Sequence, residues 1–315
     1  MRKFFYYSDG VLYYDRARTR QVPEDNATYE VLRRVRVPAH LSDVIVYEQT
    51  YEEALEGLVF VGVDSRGRKQ YFYGQKHVQR RNARRDRIFV RVHRIIRCIH
   101  RFIEEHVDRP ERDARTQLAI FLLMETSFYI RTGKVRYHRD NDTVGLLTLQ
   151  NKHLSVEGDC VTIRFRGKDR VEHEFMVRNG ERLYSPLRNL HMPEYPDRFL
   201  FSKLSERKIY RFMRQFSVTV KDLRTYGVNV TLLFRIWSNV TSMVTMPPLR
   251  KLIAASVRQT ADAIGHSPGI SRGAYMALTV LDMVREGSIV DIIRERSFEE
   301  FLEFVVEHVH KKSSG

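Results

Sequence analysis

The hydrophobic pattern of this chain changes its period between residues 75 and 88, and this change limits the folds open to it. Upstream, short apolar runs at residues 4–7 and 11–14 flank the turn pair Asp9-Gly10, which predicts a β-hairpin. Downstream, apolar residues recur every three or four positions from Ile88 to Ile103, as on one face of a helix. A β-rich N-terminal part followed by a mainly helical part is therefore expected.

The spacing of apolar runs and turn residues also predicts the remaining elements. The N-terminal part is expected to add a helix at 52–57 and a hairpin at 58–63 and 69–73. Downstream, the expected elements are strands at 146–149, 161–165 and 171–177, a basic loop at 134–142, and helices at 118–130, 203–215, 221–237, 250–263, 271–285 and 297–310.

These elements predict an α+β fold with two domains. We expect a small β-rich N-terminal domain at residues 1–77 and a basic linker at 78–82. Residues 83–315 are expected to form a larger, mainly α-helical domain with a small sheet and hairpin. A length of 315 residues is typical of two domains.

The charge balance favours a polyanionic partner. Lysine and arginine number 54 against 39 acidic residues, which gives a net charge of +15. Such an excess is typical of proteins that bind nucleic acid, although a solvated surface alone also carries charge. No apolar run approaches the roughly 18 residues of a membrane span, and the N-terminus lacks a signal-peptide core. We expect an intracellular protein with no membrane partner.

Metal and nucleotide cofactors are not expected. The two cysteines, Cys98 and Cys160, lie in unrelated contexts and indicate neither a disulfide framework nor a zinc site. There is no acidic cluster suited to a metal and no Gly-x-x-x-x-Gly-Lys loop for ATP.

Three residues near the C-terminus fit the attack of a phenol on a phosphodiester. His266 lies on a Gly/Pro-containing loop, Tyr275 follows nine residues later, and Arg224 lies upstream. A tyrosine can be a covalent nucleophile, and a guanidinium can hold two phosphate oxygens. A phosphotyrosine linkage keeps the energy of the broken bond, so resealing needs neither metal nor nucleotide. In so basic a chain, this set indicates DNA strand transfer.

Each candidate also has a plain structural explanation. Tyr275 is one of 16 tyrosines, most of which are packing residues, and Arg224 and Lys168 fit solvent-exposed positions on a helix and a hairpin turn. Arg131 ends an apolar helix, where a cation complements the helix dipole. His266 fits a structural histidine. The residues alone leave these alternatives open.

Several motifs together resemble one family. Gly265-His266, Ser271-Arg272-Gly273-Ala274-Tyr275 and Leu223-Arg224-Thr225-Tyr226-Gly227 are similar to motifs of the type IB DNA topoisomerases, in their compact poxvirus form. Residues 70–74, 84–90 and 144–149 extend this resemblance to nearly the whole chain. Gly273 departs from the pattern, because relatives usually carry a second basic residue there.

The resemblance implies an ATP-independent topoisomerase that relaxes supercoiled duplex DNA through a 3′-phosphotyrosyl intermediate. It implies Tyr275 as nucleophile, Arg131 and Arg224 as clamps on the phosphate oxygens, and Lys168 as the general acid. His266 would contact a phosphate oxygen. It also implies a monomeric clamp around DNA, a preference for a short pyrimidine-rich site, and a location in the virion and the cytoplasm of the infected host cell.

The expected DNA contacts come from two basic surfaces. A β-ribbon can enter a major groove, which suits strand 69–73, and Arg80, Arg81, Arg84 and Arg85 are expected to follow the phosphate backbone. The basic segment from Lys134 is the second surface. The residues expected to contact DNA are Gln70, Tyr71, Tyr73, Arg81, Arg84, Lys134, Arg136, Tyr137 and Lys221.

Two other functions fit part of the pattern. A tyrosine recombinase or integrase shares the Gly265-His266 pair followed by tyrosine, but its N-terminal domain is usually helical. A non-catalytic DNA-binding protein would explain the charge, but not the dispersed arginine, lysine, histidine and tyrosine set.

Overall fold

The computed structural model describes residues 2–65, 67–141, 143–168, 171–243, 245–265, 268–286 and 289–314. The chain forms two compact units, Met1–Arg84 and Arg85–Gly315. Within the described ranges, no helix has the length and apolar character needed to cross a membrane.

The first unit is built on a five-stranded antiparallel sheet. Its strands, in the order β2-β1-β3-β4-β5, are β1 (Phe4–Ser8), β2 (Val11–Tyr13), β3 (Ser42–Tyr47), β4 (Leu58–Val63) and β5 (Lys69–Tyr73). Two helices accompany the sheet, α1 (Thr28–Arg34) and α2 (Tyr51–Glu56). Both predicted hairpins and the predicted helix near 52–57 are confirmed.

A long helix, α3 (Gln75–His106), starts directly after the first sheet. Residues 78–82, which the sequence analysis assigns to a linker, lie inside this helix. The segment contains no glycine or proline and is rich in arginine and glutamine, which are good helix formers. The basic connection is therefore helical.

The second unit is mainly helical, as predicted. Its helices after α3 are α4 (Ala114–Phe128), α5 (Val135–Asn141), α6 (Tyr184–Leu190), α7 (Glu206–Arg214), α8 (Val220–Ser242), α9 (Leu249–Ile264), α10 (Pro268–Ala274), α11 (Leu278–Arg285), α12 (Ile289–Arg294) and α13 (Phe298–Ser314). A three-stranded antiparallel sheet joins β6 (Leu154–Glu157), β7 (Cys160–Arg166) and β8 (Glu172–Arg178).

Three local predictions were wrong. The expected basic loop at 134–142 contains helix α5, and the expected strand at 146–149 contains a 3₁₀ turn at Leu146–Thr148. The strand prediction failed because this apolar run packs its side chains into the core without pairing in the sheet, and apolar periodicity cannot distinguish such short segments.

The expected helix at 271–285 is two helices, α10 and α11, with a break at residues 275–277. The side chain of Asn229 on α8 explains the break. Its amide nitrogen donates to the carbonyl of Tyr275 (3.1 Å), and its amide oxygen accepts from the backbone N–H of Ala277 (2.8 Å). A distant side chain thus replaces the hydrogen bonds of a continuous helix.

Helix α8 runs through the core of the second unit and packs against α4 and α9. Gly227 lies on the side of α8 that faces Tyr129, the residue that ends α4. A β-carbon at Gly227 would overlap the Tyr129 ring, so only glycine permits this approach.

We expect Gly227→Ala to destabilise the protein by roughly 1–3 kcal/mol, because an extra methyl group would displace the Tyr129 ring or separate the two helices. Denaturant-induced unfolding measures the loss. Gly269→Ala is the matched control, since a β-carbon there meets no atom within 4 Å. Equal stability of the two variants would contradict the close approach.

Candidate active site

Tyr275 lies at the break between α10 and α11 and is buried, with 7% of its surface exposed. Its backbone N–H donates to the Ser271 carbonyl, and its own carbonyl accepts from Asn229. From sequence, Tyr275 is expected early in a helix that begins at Ser271. The structure instead places it just past the end of one, where the core fixes its backbone.

Arg224 lies on the second turn of α8, whose start is fixed by a capping box between Thr219 and Asp222. Its guanidinium carbon is 5.5 Å from the centroid of the Tyr275 ring. Arg224 is only 5% exposed, so its alternative interpretation as a surface arginine is wrong. The apolar stripe of α8 did not indicate this, because residues 223–229 are buried around the whole helix.

Arg131 follows the end of α4 and is half-buried. Backbone hydrogen bonds from Leu146 N–H to the Arg131 carbonyl (2.9 Å) and from Leu147 N–H to the Thr132 carbonyl (2.7 Å) fix this segment. The two backbones approach closely at Gly133 and Gly145, where a β-carbon on either residue would clash with the other. The motif at 144–149 therefore holds the backbone that carries Arg131.

The electrostatics place Arg224 and Arg131 in one cluster. The pKa of the Arg224 guanidinium is lowered to about 10, mainly by burial and in part by Arg131, while Tyr275 and Glu125 act in the opposite direction. Glu125, on α4, is 1% exposed, and burial raises its pKa well above the ordinary value despite Arg224. Burial thus favours the uncharged form of this acid beside the two arginines.

Lys168 is exposed at the tip of the hairpin between β7 and β8, as predicted. The same hairpin brings His173, which sequence analysis missed, to the cluster. Its half-buried ring stacks on Phe165 (5.0 Å between centroids). Burial lowers the pKa of His173, and Arg224 and Arg131 lower it further.

His173 also lies against two glycines of the site. A β-carbon on Gly167 would be 2.7 Å from the ring, and one on Gly265 would be 2.9 Å from it. Gly265 ends α9 in the left-handed conformation (φ 67°) and precedes His266, which lies outside the described residues. The hairpin that carries Lys168 thus meets the chain that leads to His266. Sequence gave no signal for His173, because the contact joins distant segments.

Tyr226 is not placed to act as a nucleophile. Its hydroxyl is hydrogen-bonded to His93 Nδ1 (3.0 Å), and its ring stacks on Phe89. Burial raises its pKa above the ordinary tyrosine value. Among the five expected catalytic residues, the structure brings Arg131, Arg224 and Tyr275 together and places Lys168 on the adjoining hairpin.

The expected DNA contacts of the first unit lie on β5. Tyr71 and Tyr73 share an exposed face, as the strand alternation predicts, and Tyr73 stacks on His77 (4.4 Å). Gln70 lies on the opposite, half-buried face and donates to Asp64 (2.8 Å). The tyrosines are thus open to a ligand, whereas Gln70 is engaged within its own hairpin.

The arginines of α3 fall into two groups. Arg81 and Arg84 are exposed and can follow a phosphate backbone. Arg85, which was expected to do the same, is 6% exposed and donates to the carbonyls of Arg272 (3.3 Å) and Gly273 (3.0 Å). The expectation for Arg85 was wrong because helical periodicity turns this position into the core of the second unit.

The second basic surface begins where the sequence predicted. Lys134 and Arg136 are exposed at the start of α5, and Lys134 lies 3.6 Å from the Glu206 carboxylate. Lys221 is exposed on the first turn of α8, one turn before Arg224. Tyr137 lies in α5, but its side chain is outside the described part of the structure.

Comparisons with known proteins agree with this architecture. The family described as viral DNA topoisomerase I, N-terminal, matches residues 5–62, and the family described as eukaryotic DNA topoisomerase I, catalytic core, matches residues 76–285. Over all 315 residues of both chains, this chain is 51% identical to the DNA topoisomerase 1B of Vaccinia virus (strain Copenhagen). The chain belongs to the poxvirus-type (type IB) DNA topoisomerases.

Two further relatives show the range of the likeness. This topoisomerase is 51% identical over 306 residues to the DNA topoisomerase 1 of Rabbit fibroma virus (strain Kasza), covering 97% of each chain. It is 24% identical over 241 residues to the DNA topoisomerase 1B of Acanthamoeba polyphaga mimivirus, covering 71% of each. The family resemblance and the α+β fold predicted from sequence are confirmed, and membership of this isomerase family implies DNA binding.

We expect the His173 imidazole to titrate below the ordinary histidine range, because burial and two guanidinium groups disfavour its charged form. Arg224→Gln should raise this pKa and Arg131→Gln should raise it less, since each removes a repelling cation. Imidazole NMR signals followed against pH measure the shift, and His173→Asn assigns the resonance. The exposed Arg101 provides a control variant, Arg101→Gln, that should leave the midpoint unchanged. A His173 pKa in the ordinary range that neither Arg224→Gln nor Arg131→Gln changes would contradict the cluster.

Proposed function

We propose that this topoisomerase relaxes supercoiled duplex DNA by cutting one strand, holding the end as a 3′-phosphotyrosine on Tyr275, and resealing it. The observation that carries this proposal is the position of Arg224, whose guanidinium carbon is 5.5 Å from the Tyr275 ring centroid in a buried site. Arg224 and Arg131 lie in one cluster, and burial disfavours the charged form of the nearby Glu125. A scissile phosphate would bring negative charge to these two cations.

The proposed chemistry is a single displacement at phosphorus in each direction. The Tyr275 oxygen attacks the phosphorus and its proton passes to solvent, while the bond from phosphorus to the 5′ oxygen breaks. The departing 5′ oxygen takes a proton from Lys168, which leaves a 5′ hydroxyl and a 3′-phosphotyrosine. Resealing reverses these steps. Since one phosphodiester is exchanged for another, the energy of the bond is retained.

Arg131 and Arg224 are proposed to hold the non-bridging oxygens. Phosphoryl transfer requires mainly positioning and stabilisation of charge on those oxygens. Both guanidiniums approach from fixed backbone: Arg224 from a capped helix, and Arg131 from a segment hydrogen-bonded to residues 146–147. His266 is proposed to donate to a further oxygen, which the family resemblance supports. Such prearranged donors need no reorganisation at the moment of reaction.

Lys168 is proposed as the proton donor because of the position of the hairpin that carries it. His173 on the same hairpin lies against Gly265, so β8 adjoins the chain that leads towards His266 and Tyr275.

We further propose that the enzyme holds DNA as a monomeric clamp and prefers a short pyrimidine-rich site. Tyr71 and Tyr73 on β5, with Arg81 and Arg84, would supply one surface. The second unit would supply Lys134, Arg136, Tyr137 and Lys221. The exposure of the described side chains in these two sets supports the proposal.

The division between domains 1–77 and 83–315 also stays a prediction, as does a location in the virion and the cytoplasm of infected cells.

We expect Tyr275→Phe to abolish relaxation and the detergent-stable protein–DNA adduct, while duplex binding remains. The ring stays against Arg224 and only the nucleophilic oxygen is removed. Plasmid relaxation without ATP or metal, followed by detergent trapping, measures both activities. Tyr226→Phe is the matched control and should retain relaxation, because that hydroxyl contacts His93 in the core. An adduct formed by Tyr275→Phe would move the nucleophile elsewhere.

We expect Lys168→Ala to slow cleavage by about 10²- to 10⁴-fold, the range of general acid catalysis. A substrate with a bridging 5′ sulfur should restore most of this loss, because a thiolate leaves without a proton. Arg131→Ala should also slow cleavage. The 5′-sulfur substrate should restore its rate only if Arg131 takes part in the proton transfer to the departing oxygen. Single-turnover cleavage of both substrates measures these effects. Equal defects of Lys168→Ala on oxygen and sulfur would assign Lys168 an electrostatic role only.

A further inference from the structure

Two adjacent charged residues of α3 are buried at the start of the second unit. Arg85 is 6% exposed and Asp86 is 7% exposed, whereas Arg84 and Arg87 on either side are exposed. Charged side chains are rarely buried unless they are paired or hydrogen-bonded, so the contacts of this pair indicate its role.

Arg85 binds the end of the helix that precedes the nucleophile. Its Nη1 donates to the carbonyls of Arg272 (3.3 Å) and Gly273 (3.0 Å), both in the last turn of α10. Carbonyls in the last turn of a helix have no partner within that helix, and a cation there also complements the helix dipole. Arg85 therefore holds α10 at its end, two residues before Tyr275.

Asp86 binds the start of the helix that follows the nucleophile. Its Oδ2 accepts from the hydroxyl of Thr279 (2.6 Å), and the Thr279 backbone N–H also donates to this carboxylate. Thr279 is the second residue of α11, and Ala277 at the cap position has no side chain that can accept these donors. Asp86 thus supplies from another helix the cap that the local sequence lacks.

The nucleophile segment is consequently fixed at three points. Arg85 holds the end of α10, Asp86 holds the start of α11, and Asn229 on α8 holds the backbone between them. Tyr275 lies on a break between two short helices, which local hydrogen bonds alone would leave poorly defined. The position of its hydroxyl relative to Arg224 depends on these outside contacts.

We propose that Arg85 and Asp86 are positioning residues for DNA cleavage, which hold the two helix ends that flank Tyr275. The proposal rests on the function proposed for Tyr275. Arg85 would thus act on the segment that carries Tyr275. The exposed arginines of α3 are instead expected to bind phosphates.

The test compares Arg85→Gln with Arg84→Gln, the same change at the exposed neighbouring position. Single-turnover cleavage is measured at saturating enzyme, and duplex affinity is measured against salt in a Tyr275→Phe background. Arg85→Gln should slow cleavage on the order of 10- to 100-fold, because a small misplacement of a reacting group has an effect of this size. Its affinity and salt slope should not change. Arg84→Gln should instead weaken binding and reduce the salt slope by about one.

Two further variants keep the result clear if Arg85→Gln folds poorly. Arg85→Lys retains a cation that can reach a carbonyl, so it should recover part of the cleavage rate. Thr279→Val removes the hydroxyl donor to Asp86 with little change of shape, and should slow cleavage without affecting affinity. A bridging 5′ sulfur should rescue neither Arg85→Gln nor Thr279→Val, because the departing oxygen is not the defective group.

Hydrogen exchange separates this proposal from the proposed function of Tyr275. The backbone amides of Met276 and Ala277 donate to Ser271 and Asn229, and they should lose protection in Arg85→Gln but not in Arg101→Gln. Loss of protection with a normal cleavage rate would overturn the positioning role, as would lower affinity with a smaller salt slope. Unchanged protection and unchanged cleavage would overturn it as well. An adduct formed by Tyr275→Phe would instead refute the assignment of the nucleophile.

Discussion

The burial of one cation organises the proposed active site of this topoisomerase. Arg224 lies inside the second unit on α8, against the ring of Tyr275 and near Glu125 and Arg131. Placing a guanidinium away from water is unfavourable unless its surroundings compensate for the lost hydration. An aromatic ring and a carboxyl group are among these surroundings, and burial favours the protonated form of that acid. In the proposed function, a phosphate of DNA enters this site as an anion.

Fixed backbone holds the cluster in place. Glycines allow the Arg131 segment to lie directly against residue 145 and allow α8 to lie against Tyr129. The Asn229 amide and the buried pair on α3 hold the chain around Tyr275. None of these groups needs to touch DNA, yet they fix the backbone that carries the residues proposed to do so. Lys168 is exposed on the β7–β8 hairpin, and the proposed mechanism requires it to approach the departing oxygen.

The two units present different chemistry to a partner. The first unit displays aromatic side chains and cations on and after a β-hairpin, and the second displays lysine and arginine at the starts of α5 and α8. Exposed cations of this kind bind phosphates with little dependence on base sequence, whereas groove contacts distinguish bases. The buried cluster lies in the second unit alone, so its geometry is set by one core. The proposed DNA recognition thus depends on exposed side chains, whereas Arg224 and Tyr275 of the proposed chemistry are buried.

Local sequence patterns are sufficient to predict the two hairpins of the first unit, the helical character of the second, and the family. These follow from periodicity, from turn residues and from short motifs that need no three-dimensional context. Other features depend on tertiary contacts. Tertiary structure buried Arg224 and Arg85, which local patterns assigned to the surface, and it broke the expected helix at Tyr275 through Asn229. It also brought His173 to the arginines. Each of these depends on contacts between residues far apart in the chain, and periodicity within one segment carries no information about them.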